Sequence, residues 1–180
     1  MVNSLLVPNL PMNRMKTLAT ALATAPESFV NGTWNGVLHS PKYFPQPDFI
    51  IQPEYRVEGV GDADLLVQRQ SFASDAVSWT WRVVYEGKSQ AGDSWEKINT
   101  QVIKYPRTAL SAGQVCWCIG AKGRKVRFWR FKKGDSAETR SLQWVNGKIK
   151  IWPENNTVQP YDIVDDQTEI ESLLLHFRNN

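Results

Sequence analysis

The strongest constraint on the fold is a run of β-branched and aromatic residues from Trp79 to Glu86, WTWRVVYE in one-letter code. Such residues favour the pleated, half-buried surface of a β-strand. A second strand-like segment extends from about Gly61 to Gln70, and a polar turn at Ser74-Asp75 separates the two segments. The pattern therefore predicts an antiparallel hairpin whose turn is centred on residue 75.

Hydrophobic spacing and turn signals predict the elements around this hairpin. Helical spacing indicates helices at about residues 15–25, 95–105 and 166–178, with Asp93 or Ser94 capping the second and Pro106 ending or kinking it. Extended segments are expected at residues 49–57, 114–120, 125–131, 142–145 and 148–152, the last two joined by Asn146-Gly147. Residues 31–47, punctuated by Pro and Gly, are interpreted as loops and short strands. This order predicts an α/β or α+β fold with a central mixed sheet flanked by helices.

Composition restricts the class of protein. A chain of 180 residues with near-average globular composition predicts one domain spanning residues 1–180. No apolar run approaches the ~18 residues of a membrane span, so we expect no membrane association. Threonines interrupt the apolar stretch after Met15, which argues against secretion and favours an intracellular location, cytoplasmic or nuclear. Cys116 and Cys118 are too few for a disulfide framework or a four-ligand metal site, and we interpret them as packing residues.

Three charged residues fall on the predicted hairpin. A turn centred on residue 75 sets Asp64 directly opposite Glu86, with their Cβ atoms ~5 Å apart, and Lys88 shares the face of Glu86. Two opposed carboxylates are destabilising unless a cation lies between them, and carboxylate oxygens suit Mg²⁺ or Mn²⁺. Lys88 would then face a phosphate or an activated water. The alternative is that both acids are exposed and that Lys88 pairs with one of them.

The helix that follows extends this pattern, because Gln101 and Tyr105 stand four residues apart on one helical face. The segments 61–67, 86–88 and 101–105 resemble, in that order, the Gly-x-x-Asp, Glu-x-Lys and Gln-x-x-x-Tyr motifs of the PD-(D/E)XK nuclease superfamily, RecB-like branch. Glu54 matches an additional acid found upstream in many of these nucleases. The resemblance covers about residues 49–131. It implies a restriction-endonuclease-like sheet and hydrolysis of phosphodiester bonds, in DNA before RNA.

The resemblance also implies a role for each matching residue. The implied metal ligands are Glu54, Asp64, Glu86 and the backbone carbonyl of Gly87. The implied metal is Mg²⁺, for which Mn²⁺ would substitute. Lys88 would orient or deprotonate the attacking water and stabilise charge on the phosphate, while Gln101 and Tyr105 would position water, lysine or substrate. The number of metal ions, and endo- against exonuclease activity, stay open.

A basic segment interleaved with aromatic residues follows the motifs. We interpret five of its residues as nucleic-acid contacts: Arg124, Lys125, Arg127, Trp129 and Arg130. Cations suit phosphates, and exposed rings suit stacked bases. An equally weighted alternative is a hairpin whose aromatic residues face the core and whose cations face water. The net charge of +3 is too small to decide between the two.

Most of the eight tryptophans are expected in the core. Trp79 and Trp81 have the opposite strand parity from Glu86, so they would join Val83 and Tyr85 on the back face of the catalytic strand. The competing function is an inactive nucleic-acid- or protein-binding module on the same fold, because folds are reused without their chemistry. The sequence leaves the oligomeric state open, a homodimer included.

Overall fold

The computed structural model describes residues 12–73, 76–153 and 158–180. Within these ranges the chain forms four helices and eight strands. They follow one another as α1 (Met12–Thr24), α2 (Glu27–Leu38), β1 (Phe49–Val57), β2 (Gly61–Ala73), β3 (Ala76–Lys88), α3 (Trp95–Ala109), β4 (Val115–Lys122), β5 (Lys125–Lys132), β6 (Thr139–Val145), β7 (Lys148–Ile151), β8 (Tyr161–Asp162) and α4 (Gln167–Asn179). No helix in the same ranges combines the length and apolar character needed to cross a bilayer.

The strands lie in chain order from β1 to β7, and β8 pairs with β5. All neighbours are antiparallel except β3 and β4, which are parallel. Parallel strands need a long crossover connection, and α3 supplies it. The mixed α/β class expected from the sequence, a mixed sheet flanked by helices, is confirmed.

The sheet buries apolar side chains on both faces. On one face Trp34 of α2 and Phe177 of α4 belong to the same buried cluster as Val83 and Tyr85. On the other face α3 packs against a cluster that includes Val84. A strand covered on both sides is apolar at consecutive positions, which explains the unbroken apolar run in the centre of β3.

Helix α2 replaces the loops and short strands that the sequence suggested for part of residues 31–47. It buries Val30, Trp34, Val37 and Leu38, which recur at the spacing of one helical face. Gly32 and Gly36 gave the impression of a loop, and each costs the helix roughly 1 kcal/mol. Burial of each large apolar side chain contributes about 1.5–3 kcal/mol, so the packed face outweighs the glycines.

The β2–β3 hairpin contains a bulge that the symmetric register did not anticipate. Ala73 pairs with Ala76, so the hairpin is centred half a residue before position 75; the predicted turn residues lie outside the described ranges. Farther along, Val67 pairs with Val83 and Gln68 pairs with Trp81, which leaves Arg82 without a partner. Beyond Arg82, Leu65 faces Tyr85, and one more step of that register sets Asp64 beside Glu86, as expected.

The same bulge corrects the expected position of the tryptophans. Trp81 packs with Tyr55 on the α3 side, in the cluster that contains Val84, and not with Val83 and Tyr85. Trp79 is 43% exposed. The extra residue at the bulge shifts by one position the alternation of side chains between the two faces of the sheet. Counting odd and even positions from Glu86 therefore assigns residues before Arg82 to the wrong face.

The other predicted elements are present, with shifted ends. Ser94 caps α3 by accepting a hydrogen bond from the Lys97 backbone N–H at 3.3 Å. The helix does not end at Pro106 but continues to Ala109. Asn146 and Gly147 have φ values of 50° and 76°, the left-handed pair that a two-residue hairpin turn requires. Cys116 and Cys118 are buried free thiols, as expected.

Candidate active site at the ends of strands β2 and β3

The structure brings Asp64, Glu86, Gly87 and Lys88 together at one end of β2 and β3. Asp64 Oδ2 accepts a hydrogen bond from the Gly87 backbone N–H at 2.8 Å. Lys88 Nζ donates to Glu86 Oε1 at 2.9 Å. The alternative interpretation is wrong about exposure, because Glu86 is 5% exposed and Asp64 is half-buried, but it is right that Lys88 pairs with one of the two acids, Glu86.

The environment of Glu86 disfavours its charge. Burial and then the neighbouring charge of Asp64 raise the pKa of Glu86 to about 7, although Lys88 and Lys104 act in the opposite direction. Burial also raises the pKa of Asp64, while the Gly87 N–H and Lys88 partly offset this effect. Among the described residues, Glu86 Oε2 is a buried oxygen with no hydrogen-bond partner. A cation beside these oxygens would stabilise both carboxylates.

Lys88 lies between two acids and retains its proton. Its side chain is 12% exposed, and Nζ contacts Glu86 and Glu27, each at 2.9 Å. Burial alone would lower the pKa of Lys88, but the two ion pairs outweigh it and raise the pKa above its ordinary value. A protonated amine donates hydrogen bonds and neutralises negative charge. Of the two expected roles of Lys88, orienting water or phosphate suits this state and accepting a proton does not.

Helix α2 supplies two site residues that the sequence analysis missed. Glu27, in the first turn of α2, forms the second ion pair of Lys88. One turn later, Asn31 Oδ1 accepts a hydrogen bond from the Tyr85 hydroxyl at 3.1 Å, and Asn31 also lowers the pKa of Asp64. The available signal was Pro26-Glu27, a typical helix start, ahead of the apolar spacing at positions 30, 34, 37 and 38.

Glycine is required between Glu86 and Lys88. A Cβ atom at Gly87 would lie 2.0 Å from Asn31 Oδ1 and 2.2 Å from the Tyr85 hydroxyl oxygen. Any side chain there would displace the hydrogen bond between those two residues. The close packing of α2 against β3 therefore requires glycine at the middle position of the Glu-x-Lys pattern.

Helix α3 borders the site from the other face of the sheet. The Tyr105 hydroxyl donates to the Asp62 carbonyl oxygen at 2.6 Å, so it holds the start of β2. Burial, followed by the charges of Glu86 and Asp64, raises the pKa of Tyr105. Gln101 lies one turn earlier, and its Oε1 is buried without a partner in the part of the chain that the structure describes. Lys104, which carried no predicted role, is near enough to Glu86 to lower its pKa.

Glu54 lines the same cleft as Asp64. This cleft has a volume of about 160 Å³ and also contacts Asn31 of α2. Glu54 is exposed and has a φ of 50°, a left-handed conformation that costs roughly 1–2 kcal/mol for a residue other than glycine. Its neighbours Pro53 and Tyr55 pair with Leu65 and Ala63, which sets Glu54 across from Asp64.

The donor set fits a magnesium ion that is shared with a substrate. Within residues 12–73, 76–153 and 158–180, no three His, Cys, Asp or Glu side chains group closely enough to hold a metal ion unaided. Mg²⁺, however, is commonly bound by one or two carboxylates together with waters and substrate phosphates. Asp64 and Glu86, with the unpartnered Oε2 of Glu86, provide such a pair. Mn²⁺ accepts the same donors.

The predicted nucleic-acid contacts of the β4–β5 hairpin mostly have partners within the protein. Trp129 is only 5% exposed, so the expectation that it stacks on bases is wrong. The four cations contact neighbouring side chains: Arg124 pairs with Asp162 and Asp165, Lys125 with Asp162, and Arg130 with Asp135, while Arg127 lies over the Trp95 ring. The aromatic residues of this hairpin face the core, as the alternative interpretation predicted.

Comparisons with known proteins add no family assignment. No protein-family model, curated protein or solved structure matches this chain. A function must therefore be argued from the geometry and electrostatics of the site.

Proposed function

We propose that the protein is a metal-dependent nuclease that hydrolyses phosphodiester bonds, in DNA before RNA. The observation that carries the proposal is the convergence of Asp64, Glu86 and Lys88 around a buried carboxylate oxygen that has no hydrogen-bond partner among the described residues. The order of the PD-(D/E)XK-like motifs along the chain supports the same chemistry.

Each residue has a task that its surroundings favour. Asp64 and Glu86 would hold Mg²⁺, which when bound lowers the pKa of water and neutralises phosphate charge. The Gly87 N–H fixes the direction of the Asp64 carboxylate. Lys88 would donate to a non-bridging phosphate oxygen or to the attacking water, where its positive charge stabilises charge that develops in the transition state.

A substrate phosphate must compete with two acids for Lys88. The Glu27 side chain is 44% exposed, whereas that of Glu86 is 6% exposed. The contact with Glu27 is therefore the easier one to exchange, because water can solvate the released carboxylate. Tyr105 would act as a positioning residue, since its hydroxyl is occupied by the Asp62 carbonyl.

The test is cleavage of single-stranded DNA, duplex DNA and RNA with Mg²⁺, with Mn²⁺ or with chelator. We expect Asp64→Asn, Glu86→Gln and Lys88→Ala each to lower cleavage by about 100-fold or more. Asp48→Asn and Lys97→Ala serve as controls, because both residues are exposed and neither contributes to the site. Cleavage that survives all three site substitutions would refute the assigned roles.

A binding module on the same fold is the second candidate. The observation that favours it is the pair of acids that neutralise Lys88 in this arrangement. Calorimetric titration with Mg²⁺ separates the two candidates, because a working site binds the ion and loses it in Glu86→Gln. Nucleic-acid binding with no cleavage of any substrate would support the module.

A further inference from the structure

We call the outer part of the β2–β3 hairpin, residues 69–73 and 76–80, the hairpin arm. Its residues 69–72 and 76–80 are mostly exposed to solvent. Residues that pair across two strands share a face, so the pairs Gln70–Trp79 and Phe72–Val77 form one face of the arm. Arg69, Ser71, Ser78 and Thr80 form the other. Phe72, Val77 and Trp79 are 63%, 49% and 43% exposed. One face of the arm is thus apolar and uncovered, and the other is polar.

A recess lies beside Trp79 where the arm joins the sheet. It has a volume of about 340 Å³ and is lined by Ile50, Gln52, Tyr55, Gln68 and Trp79. Tyr55 and Trp81 contact each other edge to face, with ring centroids 5.7 Å apart. Gln52 Oε1 has no hydrogen-bond partner in the described part of the chain. Aromatic walls and amide groups are what a protein uses to stack and hydrogen-bond an unpaired base.

The charges on this part of the hairpin are positive. Arg69 and Arg82 form no ion pair with any described residue, and Arg82 Nε lacks a partner. Burial, and then the positive charge of Arg69, lowers the pKa of Arg82. Between residues 65 and 85 the only acid is Asp75, which lies outside the described residues. An apolar protein partner would cover these cations without neutralising them, whereas a phosphate backbone would pair with them.

We propose that the hairpin arm binds single-stranded nucleic acid, whose bases would stack on Phe72 and Trp79 on the apolar face and whose backbone would pass over the edge of the arm so that phosphates contact Arg69 on the polar face. A single strand is required because the base faces of a duplex are already stacked on one another. The inference rests on the proposed function in one respect: the bound strand is taken to be the strand that is cleaved.

The arm and the candidate active site lie on the same two strands. Gln70, opposite Trp79, is six residues from Asp64, a distance of ~20 Å along a strand. Trp81 packs on the same side of the sheet as Val84. Glu86 is two residues from Val84 on the same strand, so its side chain points to that side as well. A single strand of nucleic acid that extends roughly six nucleotides from the cleaved bond, at ~3.4 Å per nucleotide, would reach the hairpin arm.

The test measures binding in the absence of cleavage. Fluorescence anisotropy in chelator would follow a labelled 20-nucleotide DNA strand, an RNA of the same sequence and the matching duplex. We expect Trp79→Ala to bind the single strands about tenfold more weakly, and Trp79→Phe to stay within about twofold of wild type. Ile151→Ala is the matched control, because Ile151 is an apolar residue of similar exposure on β7. Duplex affinity should not change. If Trp79→Ala does not fold, as judged by circular dichroism, Phe72→Ala replaces it.

The outcomes separate this inference from the proposed function. Wild-type protein that binds no single strand, or a folded Trp79→Ala or Phe72→Ala variant with wild-type affinity, overturns the role of the arm. In that case cleavage that depends on Asp64 would still support the nuclease. Conversely, if Trp79→Ala binds tenfold more weakly but the wild-type protein cleaves no substrate, the proposed binding by the arm is supported and the proposed nuclease function is refuted. A change in sedimentation of Trp79→Ala, with binding unchanged, would assign the face to a second copy of the chain.

Discussion

Glu86 combines burial, a neighbouring carboxylate and an oxygen without a hydrogen-bond partner in the described part of the chain, and each of these features opposes its ionisation. The cost of ionising it is a cost to the folded state alone, because an unfolded chain would leave the same carboxyl group in water. Groups with this character cluster at functional sites, where a ligand or metal relieves the cost. The same feature that suggests chemistry at Glu86 therefore predicts how stability depends on pH.

The pKa of Glu86 in the folded protein is about 7, against an ordinary value of 4.5. Between these pH values the folded state binds a proton that the unfolded state releases. The stability that this proton contributes is complete below about pH 4.5 and is lost as the pH rises through 7. In chelator, we expect the free energy of unfolding of wild type to fall between pH 5 and pH 8 by on the order of 2 kcal/mol more than that of Glu86→Gln.

Urea denaturation at the two pH values measures this difference. Mg²⁺ added at pH 8 should recover part of the lost stability in wild type and none in Glu86→Gln, because a ligand stabilises only the state that binds it. Parallel pH profiles for the two proteins would contradict the burial and charge interactions described for Glu86.

At the scale of elements, the position of the site depends on the bulge at Arg82. On the turn side of the bulge, paired residues of β2 and β3 follow one register, and beyond it they follow another that is shifted by one residue. A continuous register would pair Asp64 with Tyr85 and would turn Glu86 to the opposite face. The bulge is thus the feature that allows a hairpin in which Ala73 pairs with Ala76 to present both carboxylates together.

Deletion of Arg82 tests this interpretation. Val83, Val84 and Tyr85 are fully buried, and without the extra residue they would exchange faces of the sheet. We expect the deletion to abolish cooperative unfolding or to lower the free energy of unfolding by about 4 kcal/mol or more, as measured by chemical denaturation. Arg82→Ala keeps the residue count, and we expect it to cost about 1 kcal/mol or less. Similar stability of the two variants would rule out a role for the bulge in register.

At the scale of the whole molecule, the carboxyl-terminal helix completes the core behind the candidate site. Phe177 of α4 stacks on Trp117 with ring centroids 5.0 Å apart, and the Phe177 and Phe128 rings are arranged edge to face with centroids 5.7 Å apart. The cluster that contains these rings also contains Tyr85 and Trp34. Helix α2, which holds Asn31 and Glu27, thus packs in the same apolar layer as α4. Loss of the packing of one of these helices should therefore destabilise the other.

We expect Phe177→Ala to lower the free energy of unfolding by about 3–5 kcal/mol, because it leaves a cavity in this layer. Phe29→Ala is the control, since Phe29 is 43% exposed and its removal should cost less than about 1 kcal/mol. Far-ultraviolet circular dichroism and tryptophan fluorescence should report one shared transition in Phe177→Ala. Separate transitions would show that α4 is not part of the cooperative unit.

Local signals account for most of the correctly predicted elements. The Asn146-Gly147 turn, the Ser94 cap and the apolar face of α4 each depend on a few neighbouring residues and on backbone preferences, so one sequence suffices to identify them. Helix α2 was missed because its two glycines obscured an apolar face whose burial needs the sheet beneath it.

The sequence by itself determined the strands and helices other than α2 and β8, the mixed sheet, and the candidates Asp64, Glu86 and Lys88, because these follow from chain periodicity and residue type. Only the tertiary structure decided that Glu27, 61 residues from Lys88, would pair with it, and that Asn31, 54 residues from Tyr85, would border the site. It also decided that Trp129 is buried and Trp79 exposed. Such contacts depend on which elements pack together and on one unpaired residue in β3, and neither is encoded in a local pattern.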